Sequence, residues 1–231
     1  MMMKKISDDV SDQKNIEILT LSRKLCYILP KNNLNYYVQH GLFESGLIEW
    51  CKQFCNKTML DIGAHTGTYA LSLAKYCDKV YAFEPQRMTY YALCGGVALS
   101  NIKNIICYNF GLGDKTQEGI NKLKIISEDG GGSTLHPTKH TILAEEDIEI
   151  KTLDDMNIRD INFIKMDVEG NELSVLKGGI KTIELNNPTI LFESNDGNKD
   201  LFDFIISLNY DIIKINGISN MFLAKKKMII S

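Results

Sequence analysis

Short apolar runs alternate with stretches of helical periodicity through most of the chain. Each run is typical of a buried strand, and each following stretch repeats apolar positions every three or four residues. A strand followed by a helix needs a crossover connection, so consecutive strands lie parallel and helices cover both faces of the sheet. The predicted strands are 59–63, 79–83, 105–110, 163–166 and 189–192, and the predicted helices are 69–76, 87–99, 172–177 and 199–208.

The C-terminal pattern departs from this alternation. Two further strands are predicted at 212–215 and 221–225, and only a few residues around Gly217 join them. That connection is too short for a crossover, so the two strands form an antiparallel hairpin. The sequence therefore predicts an α/β fold with a mostly parallel seven-stranded sheet that ends in an antiparallel hairpin.

The N-terminal part precedes the first strand and has its own helical pattern. Residues 16–29 predict a helix ended by Pro30, and residues 43–54 predict a second, amphipathic helix. We therefore interpret residues 1–57 as an N-terminal extension and helical cover, and residues 58–231 as the main domain.

An insert at about residues 115–160 interrupts the alternation of strands and helices. Strand-like segments at 123–126 and 148–150 flank three consecutive glycines at 130–132. This pattern predicts an added hairpin with a mobile loop.

Composition and charge exclude several classes of protein. The 231 residues are 44% hydrophobic, enough for one sizeable core, and the net charge of −3 gives no overall attraction to nucleic acid or to an anionic membrane. The sequence has no apolar run of about 18 residues and no secretory signal at its start. Six cysteines lie inside predicted elements, which is typical of reduced thiols. We therefore expect a cytoplasmic protein without a membrane partner.

The turn after the first strand carries the main candidate cofactor site. A dinucleotide fingerprint that starts at Gly63 would place glycines at 65 and 68, where His65 and Thr68 stand. An acid at Asp61 suits a ligand that carries an ammonium group and would repel a phosphate. These features favour S-adenosylmethionine over a dinucleotide. The candidate cofactor-binding residues of this turn are Asp61, Gly63, Ala64, His65, Gly67 and Thr68.

Further candidates for the cofactor site follow the second and third strands. Glu84 ends the second strand, 23 residues after Asp61, where a carboxylate accepts hydrogen bonds from ribose hydroxyls, and Pro85 stiffens the adjacent turn. Gly111 and Asp114 follow the third strand. Asp114 either accepts from the adenine amino group or caps a turn.

Five sequence blocks stand in a characteristic order: DIGAHTG at 61–67, AFEP at 82–85, GLGD at 111–114, TLDD at 152–155 and IKMDVEGNE at 164–172. Together these blocks resemble the FkbM methyltransferase family. The resemblance covers about residues 36–225, and the last block is the most specific. It implies a Rossmann-like class I methyltransferase domain that uses S-adenosylmethionine and methylates oxygen, often on sugars or polyketides. His65 and the pair Gly95–Gly96 depart from the family, in which asparagine is common at these positions.

The candidate catalytic residues stand at the end of the fourth strand. Asp167 ends this strand, Glu169 lies two residues further on, and Lys165 points to the same face of the strand as Asp167. Methyl transfer to a hydroxyl needs an aligned acceptor and removal of a proton. We therefore hypothesise that Asp167 or Glu169 is the general base, or that the pair holds a divalent cation that lowers the pKa of the acceptor.

The preferred function from sequence is an S-adenosylmethionine-dependent O-methyltransferase acting on a sugar, a glycan or another small molecule. One alternative is an RNA ribose 2′-O-methyltransferase, against which the negative net charge argues. Another alternative is a non-catalytic cofactor-binding scaffold subunit. An NAD-dependent oxidoreductase is disfavoured by the glycine pattern. The sequence does not indicate an oligomeric state.

Overall fold

A computed structural model describes residues 24–194, 198–218 and 220–227. Seven helices and two sheets form the described structure. The strands are β1 (Thr58–Ile62), β2 (Lys79–Phe83), β3 (Ile105–Tyr108), β4 (Gly111–Leu112), β5 (Gly119–Ile125), β6 (Ala144–Lys151), β7 (Ile161–Met166), β8 (Thr189–Glu193), β9 (Tyr210–Lys214) and β10 (Met221–Lys226). The helices are α1 (Leu34–His40), α2 (Ser45–Cys51), α3 (Thr68–Leu73), α4 (Arg87–Leu99), α5 (Glu172–Lys177), α6 (Ile180–Asn186) and α7 (Lys199–Ser207).

The main sheet has the strand order β3-β2-β1-β7-β8-β10-β9. The five strands from β3 to β8 pair in parallel, and β10 pairs antiparallel with both β8 and β9. Alternate positions of β1 lie in different apolar clusters: Met59 packs on one face of the sheet and Leu60 on the other. The sheet is therefore covered on both faces, and the predicted α/β architecture with its antiparallel C-terminal hairpin is confirmed.

The insert forms a second sheet of three strands. β5 and β6 pair antiparallel as the predicted hairpin, and β4 adds to β6 in parallel. The third strand was predicted to reach Phe110, but it ends at Tyr108. Asn109 explains the early end, because its side-chain amide donates to the carbonyl oxygens of Glu84 and Pro85, both at 3.0 Å, and the chain then passes to the second sheet.

The N-terminal helix predicted at 16–29 is wrong for residues 24–29, which form neither a helix nor a strand; its first part lies outside the described residues. This segment lies beside α4, and the Cys26 amide donates to Oγ of Ser100, the residue that follows the helix, at 2.8 Å. A Cβ atom on Gly95 would stand 2.5 Å from Ile28 Cδ1, and one on Gly96 would stand 3.0 Å from the Cys26 carbonyl oxygen. The two glycines thus leave the space that this segment fills.

The other helices differ from prediction mainly in their ends. The amphipathic helix expected at 43–54 appears as α2 followed by a 3₁₀ turn at Lys52–Phe54. Leu47, Ile48 and Cys51 of α2 are buried in the same apolar cluster as Met59 of β1. α6 was not predicted, because it follows directly after the glycines that end α5. Among the described residues, no helix is both long and apolar enough to cross a membrane.

Candidate functional site

A cavity of about 280 Å³ lies at the carboxyl ends of β1, β2 and β7. In an open parallel sheet this edge is where ligands bind. The walls come from the turn after β1, the ends of β2 and β7, the inserted hairpin and the residues around α1. Predicted site residues in these walls are Gly63, Ala64, His65, Thr68, Glu84, Pro85, Gly111, Lys165, Asp167 and Glu169.

The turn after β1 lies directly against the chain that leaves β7. Gly63 has a φ of +74°, and a Cβ atom there would stand 1.8 Å from the backbone oxygen of Asp167. Gly67 is not in the cavity wall; its φ is +86°, and a Cβ atom there would meet Leu93 Cδ1 at 2.5 Å. Gly63 therefore shapes the cavity floor, whereas Gly67 permits close packing of α3 against α4.

Asp61 lies behind the cavity wall and is only 1% exposed. Its Oδ2 accepts a hydrogen bond from the Ala70 amide at 2.9 Å, and its Oδ1 has no hydrogen-bond partner among the described residues. Burial raises the pKa of Asp61 to about 6, although the nearby Lys165 ammonium and the Ala70 amide oppose the shift. Asp61 is thus a buried acid with one unsatisfied oxygen, a feature that a cationic ligand would relieve.

The raised pKa of Asp61 predicts a pH-dependent stability. Because the folded-state pKa lies above the unfolded one, this group favours folding at low pH and loses that contribution as the pH rises through about 6. From pH 5 to pH 8, the free energy of unfolding of the wild type should fall by about 1–2 kcal/mol relative to that of Asp61→Asn, which lacks the titrating carboxyl group. Urea unfolding at both pH values measures this change. A constant difference would contradict the prediction.

Glu84 faces the cavity and is held by three protein donors. Its Oε2 accepts from the His65 amide at 2.7 Å, and its Oε1 accepts from the Gln86 amide at 2.9 Å and from Thr89 Oγ1 at 3.0 Å. Burial raises the pKa of Glu84, and these donors oppose the shift. A carboxylate offers about four acceptor positions, so roughly one remains for a ligand hydroxyl.

Asp114 lies outside the cavity wall. Its Oδ1 accepts from the Thr116 amide at 2.8 Å and from Thr116 Oγ1 at 2.6 Å. The Thr116 side chain lowers the pKa of Asp114. Of the two roles predicted for Asp114, the geometry favours the turn cap. Gly111 does line the cavity, together with its neighbour Leu112.

Lys165 is buried beneath the cavity, and its ammonium group is surrounded by acids. Its Nζ lies 3.2 Å from Asp167 Oδ2 and 3.5 Å from the Gly63 carbonyl oxygen. Burial alone would lower the pKa of Lys165, but the charges of Asp167 and Asp61 outweigh it and leave the pKa raised. Lys165 is therefore a fixed cation and not a proton acceptor at neutral pH.

The N-terminal cover contributes a further acid to this group. The Tyr69 hydroxyl donates to Glu44 Oε2 at 2.8 Å, and the ring of Tyr69 lies 5.2 Å from Lys165 Nζ. The charge of Glu44 also contributes to the raised pKa of Lys165. Three acids, Asp61, Asp167 and Glu44, thus surround a single ammonium group, and their excess negative charge suits a cationic ligand.

Glu169 is held by the loop of the inserted hairpin. The Gly132 amide donates to Glu169 Oε1 at 3.0 Å, and Thr134 Oγ1 donates to its backbone oxygen at 2.9 Å. Glu172, by contrast, is buried and accepts from the Val168 and Gly170 amides, both at 3.2 Å. Of the acids at 167 and 169, only Glu169 accepts a hydrogen bond from the loop, so Asp167 is the better candidate for contact with a ligand. Glu172 stabilises the start of α5.

The same loop closes over the turn after β1. His65 Nε2 lies 2.7 Å from the backbone oxygen of Asp129. The Asp129 carboxylate accepts from the side-chain amides of Asn32 at 3.2 Å and Asn33 at 3.3 Å. Asp129 therefore joins the loop, the N-terminal segment and the cofactor turn, a role that no local sequence pattern indicates.

Comparison with known proteins settles the family. The sequence-family model of the methyltransferase FkbM domain matches residues 61–212 of this chain. The chain belongs to the FkbM methyltransferase family. The methyltransferase sdnD of Sordaria araneosa is 30% identical in an alignment of 200 positions that covers 70% of this chain and 75% of that protein. Its similarity supports the same family.

Solved structures show the same fold. The methyltransferase FkbM of Methylobacillus flagellatus KT superposes with a TM-score of 0.55 and 22% identity, over 79% of this chain and 46% of that one. The chain thus spans about half the length of that FkbM protein. The precorrin-6y C5,15-methyltransferase of Geobacter metallireducens GS-15 superposes with a TM-score of 0.53 and 10% identity, over 87% of this chain and 94% of that one. The predicted Rossmann-like methyltransferase fold is therefore confirmed.

The two departures from the FkbM pattern have structural roles. His65 contacts the Asp129 backbone, and the Gly95–Gly96 pair makes room for the N-terminal segment. In the part of the chain that the structure describes, no three His, Cys, Asp or Glu side chains form a group that could hold a metal ion. The described residues therefore give the divalent-cation hypothesis for Asp167 and Glu169 no support.

Proposed function

We propose that this FkbM-family protein is an S-adenosylmethionine-dependent O-methyltransferase that acts on a hydroxyl of a sugar, a glycan or another small molecule. The observation that carries this proposal is the position of Asp167. Its carboxylate follows β7, lines the cavity and pairs with the buried Lys165. An acid at this edge can receive the proton of an acceptor hydroxyl.

The charge of the cavity supports the choice of cofactor. S-adenosylmethionine carries a sulfonium and an ammonium group, and it supplies an activated methyl group when bound. Asp61 has an unsatisfied buried oxygen, and Glu44 and Asp167 add negative charge near the same floor. A dinucleotide would bring two phosphates toward these acids, which Coulomb repulsion disfavours.

Residues of the chain itself would bind the cofactor, accept the proton and contact the acceptor. Glu84 offers a rigid acceptor for a ribose hydroxyl, and Gly63 lets the turn after β1 lie directly against the chain that carries Asp167. Asp167 receives the acceptor proton, while Lys165 holds the Asp167 carboxylate in place. Tyr37 and Phe43 line the cavity near the N-terminal cover, and such aromatic surfaces suit a small cyclic acceptor.

Calorimetric titration with S-adenosylmethionine tests the cofactor. Glu84→Ala removes the predicted ribose acceptor, so we expect the Kd to rise about 10- to 100-fold, as for loss of one hydrogen bond to a charged group. Glu84→Gln keeps the shape of the side chain if the alanine variant folds poorly. Glu184→Ala, an exposed glutamate on α6, is the matched control.

NAD is the control ligand for the same titration. Binding of NAD in place of S-adenosylmethionine would contradict the proposed cofactor, and an unchanged Kd in both Glu84 variants would contradict its site. Transfer of a radiolabelled methyl group to a panel of sugars then tests the acceptor. Tight cofactor binding without transfer to any acceptor would favour the scaffold subunit instead.

A further inference from the structure

Glu193 is a second acid next to Asp167, and it has no role in the methyl transfer proposed above. The strands β7 and β8 are parallel neighbours, and their register pairs Met166 with Phe192. The next residue on each strand is an acid, so Asp167 and Glu193 stand side by side at the carboxyl edge of the sheet. On the other side of β8, Glu193 pairs with Met221 of β10, an apolar residue.

Because the two acids occupy neighbouring positions on parallel strands, Asp167 acts on Glu193 both through its charge and through a side-chain hydrogen bond. Two carboxylates in such contact hold one proton between them readily, because ionisation of both places two negative charges side by side. The charged groups that act most strongly on Glu193 among the described residues are Asp167, Glu169 and Lys165. Partial burial, followed by the charges of Asp167 and Glu169, raises the pKa of Glu193 to about 7, and Lys165 opposes the shift.

We propose that Glu193 is the proton-sharing partner of Asp167, and that this carboxyl pair, not a single carboxylate, receives the acceptor's proton. The proposal rests on the proposed methyl transfer to a hydroxyl. The acceptor oxygen forms its bond to the methyl carbon while the bond from that carbon to sulfur breaks, and the electron pair leaves with the sulfur. The hydroxyl proton passes to Asp167, where the hydrogen bond to Glu193 stabilises it. Glu193 is thus a positioning residue that acts through Asp167.

The pair has a chemical advantage over an isolated aspartate. A general base works best when its pKa lies near the working pH, and an ordinary aspartate is too acidic for this. A second carboxyl in contact raises the proton affinity of the pair, and its two titrations belong to the pair as a whole. The form of the pair without the shared proton is the active base, so activity should increase as the pH rises through about 7.

Nuclear magnetic resonance of protein labelled with ¹³C on glutamate carboxyl groups tests the pair without any acceptor. We expect one carboxyl signal of the wild-type protein to titrate near pH 7. That titration should disappear in Glu193→Gln and move to lower pH in Asp167→Asn. Glu184→Gln, on the exposed face of α6, removes a different signal and leaves the titration near pH 7 in place. A wild-type Glu193 signal that titrates in the ordinary glutamate range would overturn the proposal, even if a variant fails to fold.

Two further measurements separate this proposal from the proposed function. Glu193→Gln should leave the Kd for S-adenosylmethionine within about threefold of wild type, since the residue is not in the cavity wall. With an acceptor from the sugar panel, Glu193→Gln should lower kcat and shift its pH midpoint below that of wild type, and Glu193→Asp should restore part of both. An unchanged pH profile in Glu193→Gln would overturn the proposal. Failure of the wild type to bind S-adenosylmethionine would overturn the proposed function alone, and the coupled titration would still support the pair.

Discussion

Replacement of Asp167 by asparagine is expected to lower kcat for methyl transfer by about 10²- to 10⁴-fold, the usual contribution of a general base. Asparagine keeps the shape of the side chain but cannot accept the acceptor's proton. We also expect a smaller rise in the Kd for S-adenosylmethionine than in Glu84→Ala, because Asp167 adds negative charge near the cavity floor, whereas Glu84 is the proposed acceptor for a ribose hydroxyl. Transfer of a radiolabelled methyl group under saturating cofactor measures the loss.

Two controls make the result for Asp167→Asn specific. Asp147→Asn removes an exposed acid of β6 that pairs with Lys122, and it should retain wild-type turnover. Asp167→Asn also takes a charged partner from the buried Lys165, so its unfolding midpoint must be measured and the assay run well below it. Wild-type turnover by folded Asp167→Asn would rule out the proposed base.

Gly63→Ala is expected to destabilise the protein by about 2–6 kcal/mol, because backbone strain and overpacking each cost about 1–3 kcal/mol. The added Cβ would stand 1.8 Å from the Asp167 backbone oxygen, and the φ of +74° is unfavourable for alanine. The chain after β7 would have to move, and Asp167 moves with it. Urea unfolding measures the stability, and calorimetry with S-adenosylmethionine reports the damaged cavity.

Gly46→Ala is the matched control for Gly63→Ala. Gly46 lies in α2, its φ is not positive, and a Cβ atom there would meet nothing within 4 Å. Alanine at this position should stabilise the protein by about 0.5–1 kcal/mol through its better helix propensity. A Gly63→Ala variant that matches wild type in both stability and cofactor affinity would contradict the close contact between the turn after β1 and the end of β7.

The sequence predicted the parts of the site that depend on strand ends. Asp167, Glu84 and the turn from Gly63 to Thr68 each follow an apolar run, and the parallel sheet brings those ends to one edge. Local pattern was sufficient here because each residue is placed by its own strand. The same reasoning left two roles open for Asp114, and the hydrogen bonds to Thr116 favour one of them.

Residues placed by distant contacts were beyond this reasoning. Asp129 reaches His65 and Asn33 only because the inserted hairpin folds back over the cavity. Thr89 supports Glu84 from a helix, and Tyr69 meets Glu44 across the N-terminal cover. Residues 24–29 are predicted as part of a helix from their apolar pattern, but the contacts of Ile28 with Gly95 and of the Cys26 amide with Ser100 hold them beside α4 instead.

The glycine pair in α4 makes this helix depend on a segment that is distant in sequence. Each glycine inside a helix costs about 0.8–1 kcal/mol relative to alanine, so α4 is intrinsically weak at its middle. The segment around Cys26 and Ile28 fills the space beside the pair. Helix and segment therefore form one cooperative unit, and the first turn of that helix supplies the Thr89 hydroxyl that holds Glu84. Loss of the contacts between this segment and α4 would therefore weaken the support of Glu84 from a distance.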